Sequence, residues 1–291
     1  MWGSLMRRYQ PFYAFVLFYV FMILCYWGSG FLFIVVEQMR WLDSIKIHAG
    51  VYNTWEDYRR CFVNLLLNYM LVILPFLIPG WFVLRGTGMS FAVEDFPSLP
   101  TLFWHLWVCW LGEDVFQYFF HRLLHIPFLY KHVHKLHHEF QTPFALAGSY
   151  ATPYELVFLS ICTFLPALLL RPHFFTFLMW ILARQMDAVL EHSGYYLWNP
   201  LHALPFYGGI VFHDYHHTGF TTNYASRFTY LDRLFGTYKE PPAQYGTGVW
   251  NDEKTVAKRR LAAEGIEQEE ESEQTSNKTP SKLRRRLSGS S

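Results

Sequence analysis

Charge is what this 291-residue chain has least of: Asp, Glu, Lys and Arg make up 16% of it, against roughly 25% in an ordinary soluble domain. Residues 1–250 share 15 basic and 15 acidic side chains, while the last 41 residues carry 17 charges and no aromatic. A net charge of +1 with no concentrated basic face excludes nucleic-acid binding. Cysteine pairs are missing too. Cys25, Cys61, Cys109 and Cys162 lie far apart in apolar stretches, which excludes a disulfide framework and a thiolate zinc or iron–sulfur site. Any metal must be held by nitrogen or oxygen. No Gly-x-Gly-x-x-Gly marks a nucleotide domain, and no His-Glu-x-x-His marks a zinc hydrolase.

What remains is apolar: 52% hydrophobic and 20% aromatic. Pro11 to Val36 is 26 residues without a charged side chain, longer as a helix than the roughly 30 Å hydrocarbon core. It lacks a small-residue cleavage site, so it reads as an anchor. Cys61 to Leu84 is a second candidate, expected to bend or break at Pro75 and Pro79-Gly80. Leu99 to Trp110 begins a third, running into Glu113, Asp114 and His121. Leu156–Leu170 and His173–Leu190, parted by Arg171-Pro172, suggest a helical hairpin that dips into the bilayer and returns. Lys and Arg in the short loops place 37–60 and the histidine-rich region together in the cytosol.

Eight of the 14 histidines fill three short windows: His121-Arg-Leu-Leu-His125, His134-Lys-Leu-His137-His138 and His213-Asp-Tyr-His216-His217. On a helix, residues three and four apart share a face, so each window aims two or three imidazoles toward one centre. Eight are too many for one tetrahedral zinc and suit two metal ions. Asp114, seven positions before His121, falls about 20° short of two full turns and shares its stripe. It and Asp214 are candidates to accept the free N–H of a metal-bound imidazole. The competing reading makes Glu113 and Asp114 markers of a helix end at the interface. His48, His105, His132, His173 and His202 match no cluster spacing and read as interfacial or packing residues.

These windows, with Glu139-Phe-Gln-Thr-Pro, Glu191-His192-Ser-Gly-Tyr, Pro-Phe-Tyr-Gly-Gly, Asn223-Tyr-Ala-Ser, Asp232-Arg and Phe235-Gly-Thr, resemble the fatty acid hydroxylase/sterol desaturase superfamily, most nearly its methylsterol monooxygenase branch. The resemblance runs from about Trp55 to Tyr238. It implies an endoplasmic-reticulum membrane enzyme with a non-haem centre of two irons. Molecular oxygen would be the oxidant, and electrons would come from a b-type cytochrome and an NAD(P)H-dependent reductase. The ligands carry over to the eight clustered histidines and to His192. Oxidising an unactivated C–H bond needs a redox metal, which zinc is not. An apolar substrate, a sterol or other lipid, would enter from the bilayer.

The expected architecture is an all-α integral membrane protein whose histidine-rich helical cap on the cytosolic side holds a di-metal site. Residues 1–98 are expected to be anchor helices and 99–240 the catalytic unit. Residues 241–291 form a charged cytosolic tail, disordered and dispensable from Asn251 on. The expected reaction is oxidation of a sterol at a C-4 methyl group. The rivals are hydroxylation of a sterol side chain or acyl chain, and a non-catalytic sterol- or metal-binding relative. The sequence departs from methylsterol oxidases at Tyr150-Ala151-Thr152-Pro153, where they carry His-Pro. The Thr152 hydroxyl is expected at the metal edge, holding a water or a substrate hydroxyl. Tyr150, Asn223 and Tyr224 are candidates to shape the pocket.

Overall fold

The computed structural model of the chain describes residues 2–140, 142–242 and 245. It is helical, and among the described residues it has no strand, only the isolated bridges Lys46–Tyr195 and Tyr207–Phe228. The helices are α1 (Trp2–Gln38), α2 (Trp55–Asn68), α3 (Leu74–Gly86), α4 (Leu99–Leu124), the single turn α5 (Pro127–Leu129), α6 (Pro153–Leu170), α7 (Phe174–Glu191), α8 (Gly209–Gly219) and α9 (Tyr230–Leu234). The tail from Asn251, and the disorder expected of it, lie outside the described residues.

Three stretches are long and apolar enough to cross a membrane: Phe15–Gln38, Trp55–Gly86 and Pro153–Leu170. Only 22–28% of each is buried inside the protein, so Leu17, Leu24, Leu71, Ile78 and Phe82 project outward where lipid can cover them. The second span is not broken at its prolines. A π turn, Tyr69–Ile73, joins α2 to α3, and the Leu74 N–H reaches back to the Tyr69 carbonyl. That extra residue moves the carbonyl that the Pro75 ring would strike, so the helix carries on through it. Pro79 lies inside α3 and does not end it either.

The connections show which helix ends lie together. His173 and Phe174, at the α6–α7 turn, bond to the Ala92 carbonyl (3.0 Å) and the Ser90 carbonyl (2.9 Å) in the loop before α4. At the other end, the Ile47 N–H donates to Gly194 (2.9 Å) and the Tyr196 N–H to Ile45 (2.7 Å), pinning the loop after α1 to the loop after α7. Lys46 and Glu37 (2.9 Å), with Tyr58 and Asn53 on the same carboxylate, lock that loop. Segments α6 and α7 thus leave one side and return to it, as the hairpin reading requires. Helix α4 packs along α6, and a Cβ on Gly112 would sit 2.9 Å from the Pro166 side chain, so only glycine lets the two approach this closely.

Candidate metal centre

All nine imidazoles singled out from the sequence meet at the end of the bundle beside the loop after α1. They form two groups. His121, His125, His134, His138 and His216 make a five-membered one, and His137, His192, His213 and His217 a four-membered one. Within each, one nitrogen of every ring lies within 4.8 Å of all the others. His121 is in the last turn of α4 and His125 caps it; His192 caps α7; His213, His216 and His217 lie on α8. The middle window is not α-helical. His134 ends a π turn (Tyr130–His134), and His137 and His138 open a 3-10 turn.

The expectation that each window serves one centre is corrected. Residues four apart stay together (121 with 125, 134 with 138, 213 with 217), while His137 and His216, three along, cross to the other group. On α8 the reason is angular. At about 100° per residue, positions three and four along lie on opposite sides of the starting residue, roughly 100° apart. Two windows therefore stitch the groups together.

The nitrogens inside the groups point to a cation. The Nδ1 of His121, His216, His137 and His192 meet the carbonyls of Tyr224 (2.7 Å), Thr222 (2.6 Å), Tyr150 (3.2 Å) and Ala188 (2.9 Å). A carbonyl only accepts, so each Nδ1 carries the hydrogen and each Nε2 a lone pair. His134 Nδ1 likewise donates to Glu155 Oε1 at 2.8 Å. Yet the Nε2 atoms of His121 and His134 face each other at 3.1 Å, and those of His137 and His192 at 3.4 Å. His125 Nε2 and His216 Nε2 are buried without a partner. Burial also keeps these rings neutral. It pulls His137 down to about 4 and His134, His138, His213, His216 and His217 well below the ordinary range. Facing lone pairs in a dry interior repel, and a metal cation turns that repulsion into ligation. An all-imidazole donor set fits a borderline transition metal, not calcium or magnesium.

Several outer partners differ from expectation. Asp114 does share the buried stripe of His121, but its Oδ1 accepts from the backbone N–H groups of Arg227 (2.9 Å) and Phe228 (3.1 Å), not from an imidazole. Asp214 accepts from Tyr245 (2.5 Å) and pairs with His48 Nε2 (2.7 Å), again not with one of the nine. Being next to His213 along α8 turns it away from the groups. Glu113 and Asp114 mark no helix end; both are fully buried mid-α4. The Thr152 hydroxyl is not free for a ligand. It donates to the Val133 carbonyl (2.8 Å) and accepts from the Glu155 N–H (3.3 Å) as the N-cap of α6. That cap sets Glu155 against His134, so among the described residues the carboxylate that meets one of the nine imidazoles is Glu155, which sequence spacing missed. Its signal was present: it is the one charge in the apolar stretch 153–170.

Tyr224 and Tyr150 also act through their backbone carbonyls, and Asn223 through its side-chain amide. Asp232 accepts from the Tyr224 and Ala225 N–H groups (both 2.9 Å), fixing the carbonyl that His121 meets. Asn223, at φ 60°, clasps Lys239 with both ends of its amide. A buried ion network lies on the α4–α7 side: Glu113 with Arg184 (2.8 Å), Arg227 with Asp187 (2.6 Å), and Glu191 between the two arginines (3.6 and 3.7 Å). Two cavities flank the site. A small one of about 30 Å³ touches both groups. A larger one of about 620 Å³ is lined by Val211, Phe212 and Tyr245 among others but by none of the nine histidines.

Fold and site together define a helical protein with three candidate membrane spans, as fits a multi-pass membrane protein, and two buried histidine groups able to hold metal. The fatty acid hydroxylase family profile matches residues 106–237. Methylsterol monooxygenase 1 of Gallus gallus is 35% identical over 237 residues, covering 81% of this chain and 75% of the relative. The Danio rerio protein of the same name is 33% identical over 237 residues (81% and 77%). A very-long-chain aldehyde decarbonylase of Oryza sativa subsp. indica is 38% identical over 221 residues (73% and 80%). No solved structure matches. The chain belongs to the fatty acid hydroxylase family.

Proposed function

We propose that this chain is a methylsterol monooxygenase that oxidises a C-4 methyl group with molecular oxygen at two irons. The observation that carries this reading is the convergence of nine neutral imidazoles into a group of five and a group of four, in a chain aligned over most of its length with relatives of that name. His121, His125, His134, His138 and His216 would hold one iron, and His137, His192, His213 and His217 the other. Bound there, iron supplies the oxygen activation and oxidising power that no side chain has. The protein's own residues fix ring orientation through Glu155 and the carbonyls, and exclude bulk water by burial. Asp114 and Asp214 act as positioning residues, the first holding the 227–228 backbone, the second tying Tyr245 and His48 to α8.

Each methyl-to-alcohol step consumes one O₂, two electrons and two protons and yields one water. The electrons come from a b-type cytochrome and an NAD(P)H-dependent reductase. Residues 99–240 are the catalytic unit on the anchor helices of 1–98, in the endoplasmic-reticulum membrane, with the histidine side and the tail in the cytosol. The rice relative supports a second reading, in which the substrate is a very-long-chain aldehyde. Lipid profiling of a null mutant separates the two. Accumulating C-4-methylated sterols are expected; unchanged sterols with altered long-chain aldehydes or alkanes would contradict the sterol assignment.

A further inference from the structure

The two histidine groups differ in what surrounds them. Among the described residues, the ring contacts of His137, His192, His213 and His217 are with other histidines. The five-histidine group meets tyrosine instead. The Tyr224 ring centroid lies 5.1 Å from that of His125, 5.7 Å from His216 and 6.0 Å from His121, and Tyr130 lies 5.4 Å from His125. Tyr224 in turn stands edge-on to Tyr118 at 6.4 Å. Tyr118 stacks at 5.5 Å on Phe235, a ring 44% exposed. A run of neighbouring rings thus leads from one half of the centre to the surface.

Tyr118, one turn before His121 on α4, is fully buried, yet its phenol has a way out for a proton. Thr237 donates its own hydrogen to Asp232 Oδ1 (2.7 Å), so at the 3.0 Å contact between the two hydroxyls Tyr118 is the donor. Arg122 Nη1 donates to the Tyr118 oxygen (3.0 Å). Phenylalanine would fill the same space; the chain from Tyr118 through Thr237 to Asp232 is what the hydroxyl adds. A metal pair that activates oxygen with no substrate in place oxidises what is nearest, and its own imidazoles are nearest. We propose that Tyr118 is a redox-active tyrosine that protects the centre by supplying the missing electron across the Tyr224 ring. In that step the Tyr118 O–H bond breaks and the electron goes to the oxidised centre. The proton moves to Thr237 Oγ1 as Thr237 passes its own to Asp232, and a neutral phenoxyl radical remains. No charge is left on the buried ring, where a radical cation would be costly. A one-electron reductant such as ascorbate, approaching past exposed Phe235 and Arg122, returns the electron, and the proton comes back from Asp232. The Asp232-Arg and Phe235-Gly-Thr segments thereby gain a role beyond holding the Tyr224 backbone. The relay rests on the redox-metal reading above and not on which lipid is oxidised.

The experiment reduces iron-loaded protein in the absence of oxygen, admits oxygen with no lipid substrate present, freezes the sample and records its electron paramagnetic resonance spectrum. The wild type should show an organic radical signal that narrows when the protein is made with ring-deuterated tyrosine. Tyr118→Phe should lose that signal, whereas Tyr130→Phe, which removes the other phenol near His125, should keep it. Thr237→Val should lower the yield of radical and Thr237→Ser restore it, a pattern that packing alone does not produce. Peptide mass spectrometry of the same samples should find more oxidised histidine at His121, His125 and His216 in Tyr118→Phe than in the wild type. Iron content and helicity should match the wild type in every variant, separating a lost relay from a damaged fold. A wild type that consumes oxygen but forms no tyrosine radical overturns the relay, as does a signal that survives in Tyr118→Phe or vanishes in Tyr130→Phe. A wild type that binds no iron or consumes no oxygen overturns the redox-metal reading itself, and the relay with it.

Discussion

At the residue scale, the convergence of the histidines was legible and what supports each ring was not. Histidine spacing shows which rings can share a direction, because a helix repeats every three to four residues. It does not show what sits behind a ring. Asp114 lies on the stripe foreseen, yet its oxygen binds the 227–228 backbone, more than a hundred residues away along the chain. Glu155 was missed because its partner His134 belongs to another segment 21 residues back. This carboxylate is fully buried, with Oε2 unpartnered, a costly placement unless the imidazole it faces carries a metal's charge. Glu155→Gln keeps a hydrogen-bond acceptor and removes the charge. It should weaken metal retention by about 10–100-fold, read as metal content after dialysis against a graded chelator, with helicity unchanged. Equal retention would contradict the role given to Glu155.

The same burial makes a pH prediction with a definite sign. His137 is depressed to about 4, and its neighbours in the cap are depressed as well. A lowered folded-state value means the unfolded chain takes up protons first as pH falls. Stability is then fully present above the ordinary histidine value, near 6.5, and is lost on the way down toward 4. Metal-free protein should melt progressively lower between pH 7 and pH 5, and bound metal should oppose the fall. A melting temperature flat over that window would contradict neutral buried rings.

At the scale of elements, the apolar runs predicted the helices well, and irregular turns account for the departures. The π turn at Tyr69–Ile73 absorbs Pro75, which sequence rules treat as a breaker. The second π turn, Tyr130–His134, and the 3-10 turn after it let one short window feed both groups, and nothing in hydrophobic spacing signals them. Helix α6 is tied to the centre at its first turn by Thr152. Thr152→Val should cost about 1 kcal/mol of stability as a lost N-cap and should lower metal retention through Glu155. A normal metal content together with that stability loss would confine Thr152 to capping alone. In the 3-10 turn Ala145–Ser149, which packs on the end of α7, a methyl at Gly148 would stand 2.9 Å from His192 Nδ1 and 3.0 Å from the Ala188 carbonyl. Gly148→Ala should therefore empty the four-histidine group in preference to the other, leaving about half the bound metal. Uniform loss from both groups would argue for general misfolding.

At the scale of the whole molecule, the helices act as a frame. Loops after α1, α4 and α7 meet at one end, and the centre forms where they meet, so histidines scattered from 121 to 217 need the complete bundle to come together. A chain ending near Trp250 keeps every one of these elements and should retain oxidase activity in microsomes; complete loss at normal abundance would contradict a dispensable tail. The central claim is a redox centre of two metals, and metal analysis of purified active protein tests it most directly. The account predicts about two irons per chain, the capacity of two separate imidazole groups, with His137→Ala or His216→Ala losing metal and turnover and exposed His132→Ala losing neither. Active protein carrying only zinc, or equal damage from all three substitutions, would contradict it.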